Sequence, residues 1–287
     1  GKHWIVGTTD TDWSGDRAEP TATAQDVDYI LQQANRVLAT PLTRADVIAV
    51  YAGLRPLVAA QPAGARGADK AGGADKPTTK LSREHVVDTP LPGLASIAGG
   101  KFTTYRLMAR DVVDAAVANL PGPVPPSVTG QLPLLGADGL PAVRASAARL
   151  AADYDVHGDV AEHLIARYGT LATEVLDLIR ADKTLGLPLL DGHPYLRAEV
   201  AYAVTHEGAL HAEDVLARRV RLLIETPDAG LSAAPEVTAI MAGLLGWNRR
   251  RRAAELRRYQ EYATANAAAL EPTAPANEPT DAVAVPA

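Results

Sequence analysis

Residues 96–111, SIAGGKFTTYRLMARD, join an apolar run typical of a β-strand to a segment with helical spacing. Gly99 and Gly100 lack side chains and can adopt a positive φ, so the chain can turn sharply between the two elements. The free N–H groups and the positive dipole end of the following helix then face the space beyond the strand, where Lys101 adds a full charge. The stretch therefore predicts an anion-binding turn.

A strand-to-helix turn that uses glycine for its geometry alone is the structural alternative. A P-loop is excluded, because that motif requires G-x-x-x-x-G-K-[ST]. Ala95 stands where the first glycine belongs, and Phe102 stands where serine or threonine belongs. We expect Thr103 or Thr104 to cap the helix that follows the turn.

The composition indicates a globular protein with an aliphatic, helix-rich core, since the 287 residues are 47% hydrophobic but only 5% aromatic. The chain has no cysteine, which excludes disulfides and thiolate chemistry and fits a reducing compartment. A formal charge of −6 argues against nucleic acid as a partner. We find no run of about 18 apolar residues and no signal-peptide pattern, and we therefore expect a cytoplasmic protein.

Hydrophobic periodicity predicts a mixed α/β segment over residues 1–120. Thr23 with Asp26, and Thr43 with Asp46, have the spacing of helix N-caps. The predicted strands are residues 4–8, 50–58, 85–87 and 94–98, and a further helix is predicted over residues 103–120. Residues 59–80 are rich in Gly, Ala and Lys without apolar periodicity, which predicts a flexible insertion.

The proline-rich residues 121–126 predict a domain boundary, and helical periodicity dominates beyond it. This pattern predicts an all-α domain over residues 127–268, followed by a disordered tail at 269–287. The predicted helices are residues 143–154, 160–168, 173–179, 196–204, 212–224, 235–245 and 249–268. The predicted fold class is α+β, with a partial α/β segment followed by an all-α C-terminal domain.

Five groups of motifs occur together in a characteristic order. They are IVGTTDTDWSGD at 5–16, YAGLRPLV at 51–58, LSREHVV at 81–87, AGGKFTTYRLMARDVVD at 98–114, and AEVAYAVTHEGALHAEDVLARRVRL at 198–222 followed by GLLGWNRRRRAAEL at 243–256. Together they resemble the flavin-dependent, quinone-linked glycerol-3-phosphate dehydrogenases of the D-amino acid oxidase-like superfamily. The resemblance implies a partial FAD- and substrate-domain segment followed by a helical cap domain.

The resemblance also supplies a ligand for the anion site, because in this family the glycine-lysine turn lies against the flavin ring of FAD. A helix N-terminus and a lysine at that place would stabilise the reduced, negatively charged ring more than the oxidised one. The cofactor contacts that the resemblance implies are Gly99, Gly100, Lys101, Phe102 and Thr103.

Arg55, Arg83 and Lys101 are the substrate-binding residues that the resemblance implies, and it assigns catalytic roles to Arg55 and Lys101. The structural alternative for either arginine is a surface or ion-paired side chain on a short strand. The implied substrate is sn-glycerol 3-phosphate, a small dianion that suits the planar guanidinium fork. The implied reaction yields dihydroxyacetone phosphate and passes electrons through FAD to a membrane quinone.

The sequence does not identify the base that accepts the hydroxyl proton. His85 is a weak candidate, since a lone histidine near a strand is more often a satisfied structural residue. Asp10 and Asp12 could be paired catalytic carboxylates, but their position before Gly15 favours turn formation.

The helical domain contains THEGALH at 205–211, but a zinc site of the HExxH type is excluded because the two histidines are five residues apart. We expect His206 and Glu207 to contribute to the packing of the domain or to its contact with the flavin-binding part, and we expect no metal. The basic runs RRVR at 218–221 and RRRR at 249–252 are interpreted as solvated helix faces. The acids expected to neutralise them are Glu213, Asp214, Glu225 and Glu255. Peripheral contact with an anionic membrane is the alternative.

The dinucleotide-binding fingerprint G-x-G-x-x-G of the family is absent from these 287 residues. We therefore expect the C-terminal portion of a glycerol-3-phosphate dehydrogenase that needs an N-terminal flavin-binding portion, in cis or in trans, and that is inactive alone. The alternative is a non-enzymatic helical interaction module.

Overall fold

The computed structural model describes residues 3–58 and 84–271. The chain divides into two compact units. We call Gly1–Thr9, Thr21–Ala52 and Gly139–Ala287 the helical unit, and Asp10–Pro20 with Gly53–Asp138 the strand unit. Helices dominate the described residues and one small sheet accompanies them, so the predicted α+β class with a helical C-terminal part is confirmed. The predicted insertion at 59–80 lies outside the described residues, as does most of the predicted tail.

The first helix, α1 (Ala24–Asn35), begins at the predicted cap. The Thr23 hydroxyl accepts from the N–H of Asp26 at 3.2 Å, and the Asp26 carboxylate accepts from the N–H of Thr23 at 3.0 Å. Asp46 accepts from the N–H of Thr43 at 2.7 Å in the same way, and a 3₁₀ helix follows at Arg44–Asp46. Both start signals are confirmed, because a capping box is a local interaction that spacing alone can reveal.

In the strand unit, β1 (His85–Leu91) and β2 (Leu94–Gly99) form an antiparallel hairpin in which His85 lies opposite Gly99. A 3₁₀ turn at Phe102–Thr104 leads into α2 (Tyr105–Val117), which packs against both strands. The predicted strands at 85–87 and 94–98 and the predicted helix at 103–120 are therefore confirmed, with α2 shorter at both ends.

The strands predicted at 4–8 and 50–58 are wrong, because no strand forms over residues 4–8 or 50–57. A strand needs a neighbour for its backbone hydrogen bonds, and in the described part of the chain β1 and β2 pair only with each other. Trp4 and Ile5 are exposed as a result.

Thr104 occupies the N-cap position of α2, as predicted, but its side chain does not cap the helix. The Thr104 hydroxyl donates to the carbonyl of Lys101 at 3.0 Å, and it accepts no N–H of the helix. Thr103 lies exposed within the 3₁₀ turn. A 3₁₀ turn precedes α2, and the hydroxyl of Thr104 bonds back into that turn. The backbone N–H groups at the start of α2 therefore have no side-chain cap.

Nine helices of the helical unit follow residue 139 within the described residues. They are α3 (Leu140–Ala145), α4 (Ala147–Tyr154), α5 (Gly158–Tyr168), α6 (Ala172–Ala181), α7 (Arg197–Thr205), α8 (Ala212–Leu216), α9 (Leu222–Glu225), α10 (Ala234–Leu245) and α11 (Arg249–Ala267). All seven predicted helical stretches are confirmed. The stretches at 143–154 and 212–224 each form two helices, with Ser146 between the first pair and residues 217–221 between the second. Arg221 adopts a φ of 56° directly before α9.

The core lies in the helical unit and is aliphatic, as the composition predicted. One cluster packs around α5 to α7 and includes Leu164, Leu176 and Ile179. A second cluster packs around α7 to α11 and includes Leu216, Met241 and Tyr259. No helix of the described residues is long and apolar enough to cross a lipid bilayer.

The predicted limits 1–120 and 127–268 stay a prediction, and the compact units divide the chain differently. Residues 21–52 belong with the C-terminal helices, because α1 packs against the 3₁₀ helix at Ala268–Leu270. Arg44 reinforces this contact, since its Nη1 donates to the carbonyl of Ala269 at 2.8 Å and its Nη2 lies 2.7 Å from Asp28 Oδ1.

Candidate functional site

The glycine turn between β2 and α2 requires both glycines. Gly99 has a φ of 77° and Gly100 a φ of 80°, a region that other residues adopt at a cost. A Cβ at Gly99 would lie 2.6 Å from the carbonyl oxygen of Glu84, and one at Gly100 would lie within 3 Å of the thioether of Met108. Geometry alone therefore explains the glycines, and a ligand must be argued from the groups around the turn.

An open hollow of about 570 Å³ lies at this turn. Its lining residues are Leu54, Arg55, Pro56, Leu57, Gly99, Gly100, Lys101, Phe102, Tyr105 and Met108. The structure thus brings Arg55 and Lys101 to one hollow, although 46 positions separate them in the sequence. Their predicted roles in catalysis and substrate binding stay predictions, as do the cofactor contacts at 99–103.

The hollow combines an apolar lining with two cationic side chains, which is the usual character of a small-molecule site. The rings of Phe102 and Tyr105 stack with their centroids 5.7 Å apart and an angle of 24° between planes. Phe102 is 90% exposed, so its ring is available to a flat ligand.

The Arg55 guanidinium does not stand alone in the hollow. Its Nη1 lies 2.5 Å from Oδ2 of Asp10, and both side chains are about two-thirds buried. The structural alternative of an ion-paired arginine is thus present, on an extended segment that forms no strand. Asp10 has a role beyond turn formation, since it orients one of the two cations. The predicted role of Asp12 in a turn stays a prediction, and Arg83 lies outside the described residues.

Behind the turn, Nε2 of His85 lies 2.9 Å from Oδ2 of Asp111 on α2. The other carboxylate oxygen of Asp111 accepts from Nε and Nη2 of Arg110 at 3.0 and 2.8 Å. Hydrogen bonds from Arg110 and then from His85 lower the pKa of Asp111. His85 is not among the residues that line the hollow, and its role as a base stays a weak prediction.

Sequence reasoning missed Asp111 as the partner of His85 and Asp10 as the partner of Arg55. Neither pair has a fixed spacing, because each joins residues 26 or 45 positions apart. The one usable signal for Asp111 was its place on the helix that follows the turn, less than two helical turns beyond Tyr105.

The helical unit contains a fully buried charge at Glu199 on α7. Its carboxylate lies 2.9 Å from Nε2 of His163 and 3.1 Å from Nε of Arg167, and it accepts from the hydroxyl of Tyr168 at 3.1 Å and the N–H of Leu196 at 2.8 Å. Burial and the negative charge of Glu199 both raise the pKa of Tyr168. Burial alone would lower the pKa of Arg167, but the charge of Glu199 raises it on balance.

His206 serves packing, as the sequence predicted, because its ring stacks on Tyr202 with centroids 4.4 Å apart. Glu207 instead forms an ion pair with Arg219 at 3.3 Å, and contact of either residue with a flavin-binding part stays a prediction. The expected neutralisation of the basic runs is also found for three pairs. They are Arg218 with Asp214 at 3.2 Å, Arg221 with Glu225 at 3.8 Å, and Arg251 with Glu255 at 3.1 Å.

His211, Glu213 and Glu255 place one ligand atom each within 4.8 Å of one another. Two arginines already occupy this cluster, because Arg258 Nη2 lies 2.6 Å from Glu213 and Arg251 Nη2 lies 3.1 Å from Glu255. These guanidinium groups balance the two carboxylates, which removes the attraction for a further cation. We therefore treat the cluster as an ion-pair network of the helical unit.

Comparison with known proteins identifies relatives along most of the chain. Residues 127–252 match the family of the C-terminal domain of alpha-glycerophosphate oxidase. Glycerol-3-phosphate dehydrogenase 2 of Mycobacterium tuberculosis is 50% identical over 247 residues, which cover 86% of this chain and 40% of the relative. The mitochondrial glycerol-3-phosphate dehydrogenase of Mus musculus is 36% identical over 271 residues, which cover 92% of this chain and 34% of the relative.

A solved structure agrees with these matches. It is the glycerol-3-phosphate dehydrogenase from Bacillus halodurans complexed with FAD, which superposes with a TM-score of 0.72 at 27% identity over 93% of this chain and 50% of that structure. This chain spans about 40% of the length of the mycobacterial relative. Residues 127–252 thus belong to the family of the alpha-glycerophosphate oxidase C-terminal domain, and the chain is the counterpart of the C-terminal portion of glycerol-3-phosphate dehydrogenases.

Proposed function

We propose that this chain is the C-terminal part of a flavoprotein that oxidises sn-glycerol 3-phosphate to dihydroxyacetone phosphate and passes electrons through FAD to a quinone. The observation that supports this most directly is the meeting of Arg55 and Lys101 at one hollow beside the glycine turn. The names of the mycobacterial and mitochondrial relatives support the substrate.

The residues of the glycine turn have the chemical character that contact with FAD requires. Gly99 and Gly100 line the hollow and carry no side chain, so their backbone is open to a ligand there. Phe102 presents an exposed ring, and Lys101 adds positive charge beside the start of α2, which has no side-chain cap. The residues that would hold the flavin are Gly99, Gly100, Lys101, Phe102 and Thr103. When bound, FAD would supply the acceptor for two electrons.

Arg55 and Lys101 would bind and orient the substrate. A guanidinium group matches phosphate oxygens in pairs, and Asp10 holds that of Arg55 in a fixed orientation. The charge of Lys101 stabilises negative charge that develops on an oxygen or ring placed beyond the turn. Arg83 is a third proposed cation of this site. Among the described residues, the lining of the hollow contains no carboxylate or imidazole, so we assign no base within it.

A flavin-binding portion, supplied in cis or in trans, is the proposed partner of the strand unit. Several large apolar side chains of this unit are exposed, and burying them against another surface would be favourable. They are Leu54, Val86, Leu94, Phe102, Tyr105, Leu107 and Val113. We propose that the chain is inactive without that portion.

The test joins this chain to the part of the Mycobacterium tuberculosis relative that precedes the matched region, and we call the product the combined protein. We expect the combined protein to be yellow and to reduce a dye when glycerol 3-phosphate is added. We expect neither part to do so alone. A flavin-loaded combined protein without dye reduction would contradict the proposed reaction, and activity of this chain alone would contradict the need for a partner.

A helical interaction module without catalysis is the second candidate. It is supported by the helical unit, which has its own two-cluster core and buried ion-pair networks. The dye-reduction assay discriminates between the two candidates. An interaction module without catalysis would give no dye reduction in the combined protein, and it would require neither Arg55 nor Lys101.

We further propose a cytoplasmic location with peripheral membrane contact, where a membrane quinone accepts the electrons. The start of α11 supports this proposal, since Arg249 and Arg250 are exposed beside the exposed Leu244 and the partly exposed Trp247. Basic and amphipathic side chains together favour an anionic lipid surface. We expect liposomes with acidic lipid to sediment the chain at low salt. Equal sedimentation with neutral liposomes would contradict this contact.

A further inference from the structure

The glycine turn is braced from behind by the hydrogen bond between His85 and Asp111. His85 is the first residue of β1 and lies opposite Gly99, the last residue of β2. Asp111 lies on α2, which leaves the turn on its other side. The 2.9 Å bond from Nε2 to Oδ2 therefore links the elements on both sides of the turn directly.

The contact with the turn itself is close. A Cβ at Gly100 would lie 3.1 Å from Cβ of His85, so the imidazole begins directly against the backbone of the turn. Arg110 holds Oδ1 of Asp111 through two donors and leaves Oδ2 for His85. The two hydrogen bonds from Arg110 thus fix the orientation of the carboxylate that is bonded to His85.

The pair is only partly buried, with side-chain exposures of 20% for His85 and 31% for Asp111. Pairs that exposed contribute little to overall stability. Their placement has a different consequence, because a shift of α2 relative to β2 would move Lys101 and the N–H groups at the start of the helix.

We infer that His85 and Asp111 are positioning residues that hold the turn at 99–101 in its anion-binding geometry. The inference rests on the proposed function for the identity of the anion. It does not make His85 a base, since the hollow is lined by other residues. The expected effect is a misplaced Lys101, which lowers the rate of the reaction while both units remain folded.

The test uses the full chain, labelled with ¹⁵N in glycine and lysine, and compares His85→Ala, His85→Gln and Asp111→Ala. We expect the amide resonances of Gly99, Gly100 and Lys101 to move in the alanine variant and to return toward wild type with glutamine, whose amide can still donate to Asp111. Asp111→Ala is used in place of an amide substitution, because an asparagine could still bond to His85, and it should move the same resonances. Asp114→Ala, an exposed neighbour on α2, is the matched control and should leave them in place.

In the combined protein, we expect His85→Ala to lower kcat/KM for glycerol 3-phosphate about tenfold and His85→Gln to restore most of it. The double variant with Asp111→Ala should lose no more than the single variants His85→Ala and Asp111→Ala, because each removes the same interaction. Unmoved turn resonances in His85→Ala and Asp111→Ala, or additive losses in the double variant, would overturn the inference. The inference would also be overturned if His85→Ala were fully active while Lys101→Ala was inactive. That result would leave the proposed function intact. A fully active Lys101→Ala would instead count against the proposed function.

Discussion

Nη1 of Arg55 lies 2.5 Å from Oδ2 of Asp10, and this ion pair joins residues 45 positions apart in the strand unit. The carboxylate that looked like a turn former in the sequence orients the guanidinium that lines the hollow. Arg55 therefore meets a ligand from a fixed position, which reduces the entropy cost of binding a phosphate.

Removing the carboxylate of Asp10 should loosen Arg55. We expect Asp10→Ala in the combined protein to raise KM for glycerol 3-phosphate about tenfold with little change in kcat, since orientation of a binding group is lost. Steady-state kinetics measure the split. A large loss in kcat at unchanged KM would contradict a binding role for this pair.

Removing the charge of Lys101 should affect the reaction itself. We expect Lys101→Ala to lower kcat/KM about 100- to 1,000-fold, the usual effect of losing one preorganised electrostatic group. Lys183, which pairs with Asp155 in the helical unit, offers a control, and Lys183→Ala should retain full activity. Equal activity of the two variants would remove Lys101 from the site.

A side chain at Gly99 should destabilise the hairpin beyond the cost of its positive φ. Gly93 is the matched control, because it has a φ of 78° and a Cβ there would meet nothing within 4 Å. Gly99→Ala would bring a Cβ to 2.6 Å from the Glu84 carbonyl, so we expect an additional loss of about 1–3 kcal/mol. Hydrogen exchange of the β1 and β2 amides reports the difference, and equal exchange in both variants would refute the clash.

The buried Glu199 should be among the most sensitive positions of the helical unit. Glu199→Ala leaves the mostly buried Arg167 without its counter-charge, and we expect a loss of about 3–5 kcal/mol in the free energy of unfolding. Asp153→Ala is the control, since Asp153 and Arg149 form an exposed pair that contributes less than about 1 kcal/mol. Urea unfolding followed by circular dichroism measures both.

Acid should remove the contribution of Asp228 to the free energy of unfolding. Burial alone would raise the pKa of Asp228, but hydrogen bonds from Ser232, Thr226 and the backbone hold it at about 2. Because this folded pKa lies below the unfolded value of about 3.9, the stabilisation is complete above pH 4 and is lost as the pH falls toward 2. We expect Asp228→Asn to be less stable than wild type at pH 7 and nearly equal near pH 2. A stability difference that does not depend on pH would contradict this account.

The helices were predictable because their signals are local. Capping at Thr23, helical periodicity in the C-terminal half and the glycine turn all operate within a few residues of sequence. The strands predicted at 4–8 and 50–58 failed for the opposite reason. A strand depends on a partner elsewhere in the chain, and apolar residues alone do not supply one.

The sequence predicted the cationic residues of the candidate site, but it did not predict the carboxylates that orient the site. Arg55 and Lys101 belong to recognisable motifs, and the structure places them at one hollow. Asp10 and Asp111 act through contacts across 45 and 26 positions, for which no spacing rule exists. The positive φ of Arg221 was missed because such a conformation in a non-glycine residue is set by packing and carries no compositional mark.

The contact of Arg44 with the carbonyl of Ala269 has a practical consequence for anyone who shortens or labels this chain. A truncation that removes residues 268–271 would delete acceptors of Arg44 and release the end of α1, far away in sequence. A fluorophore attached at Glu271 would sit near Arg44. Its emission would then report whether α1 and the 3₁₀ helix at Ala268–Leu270 stay together.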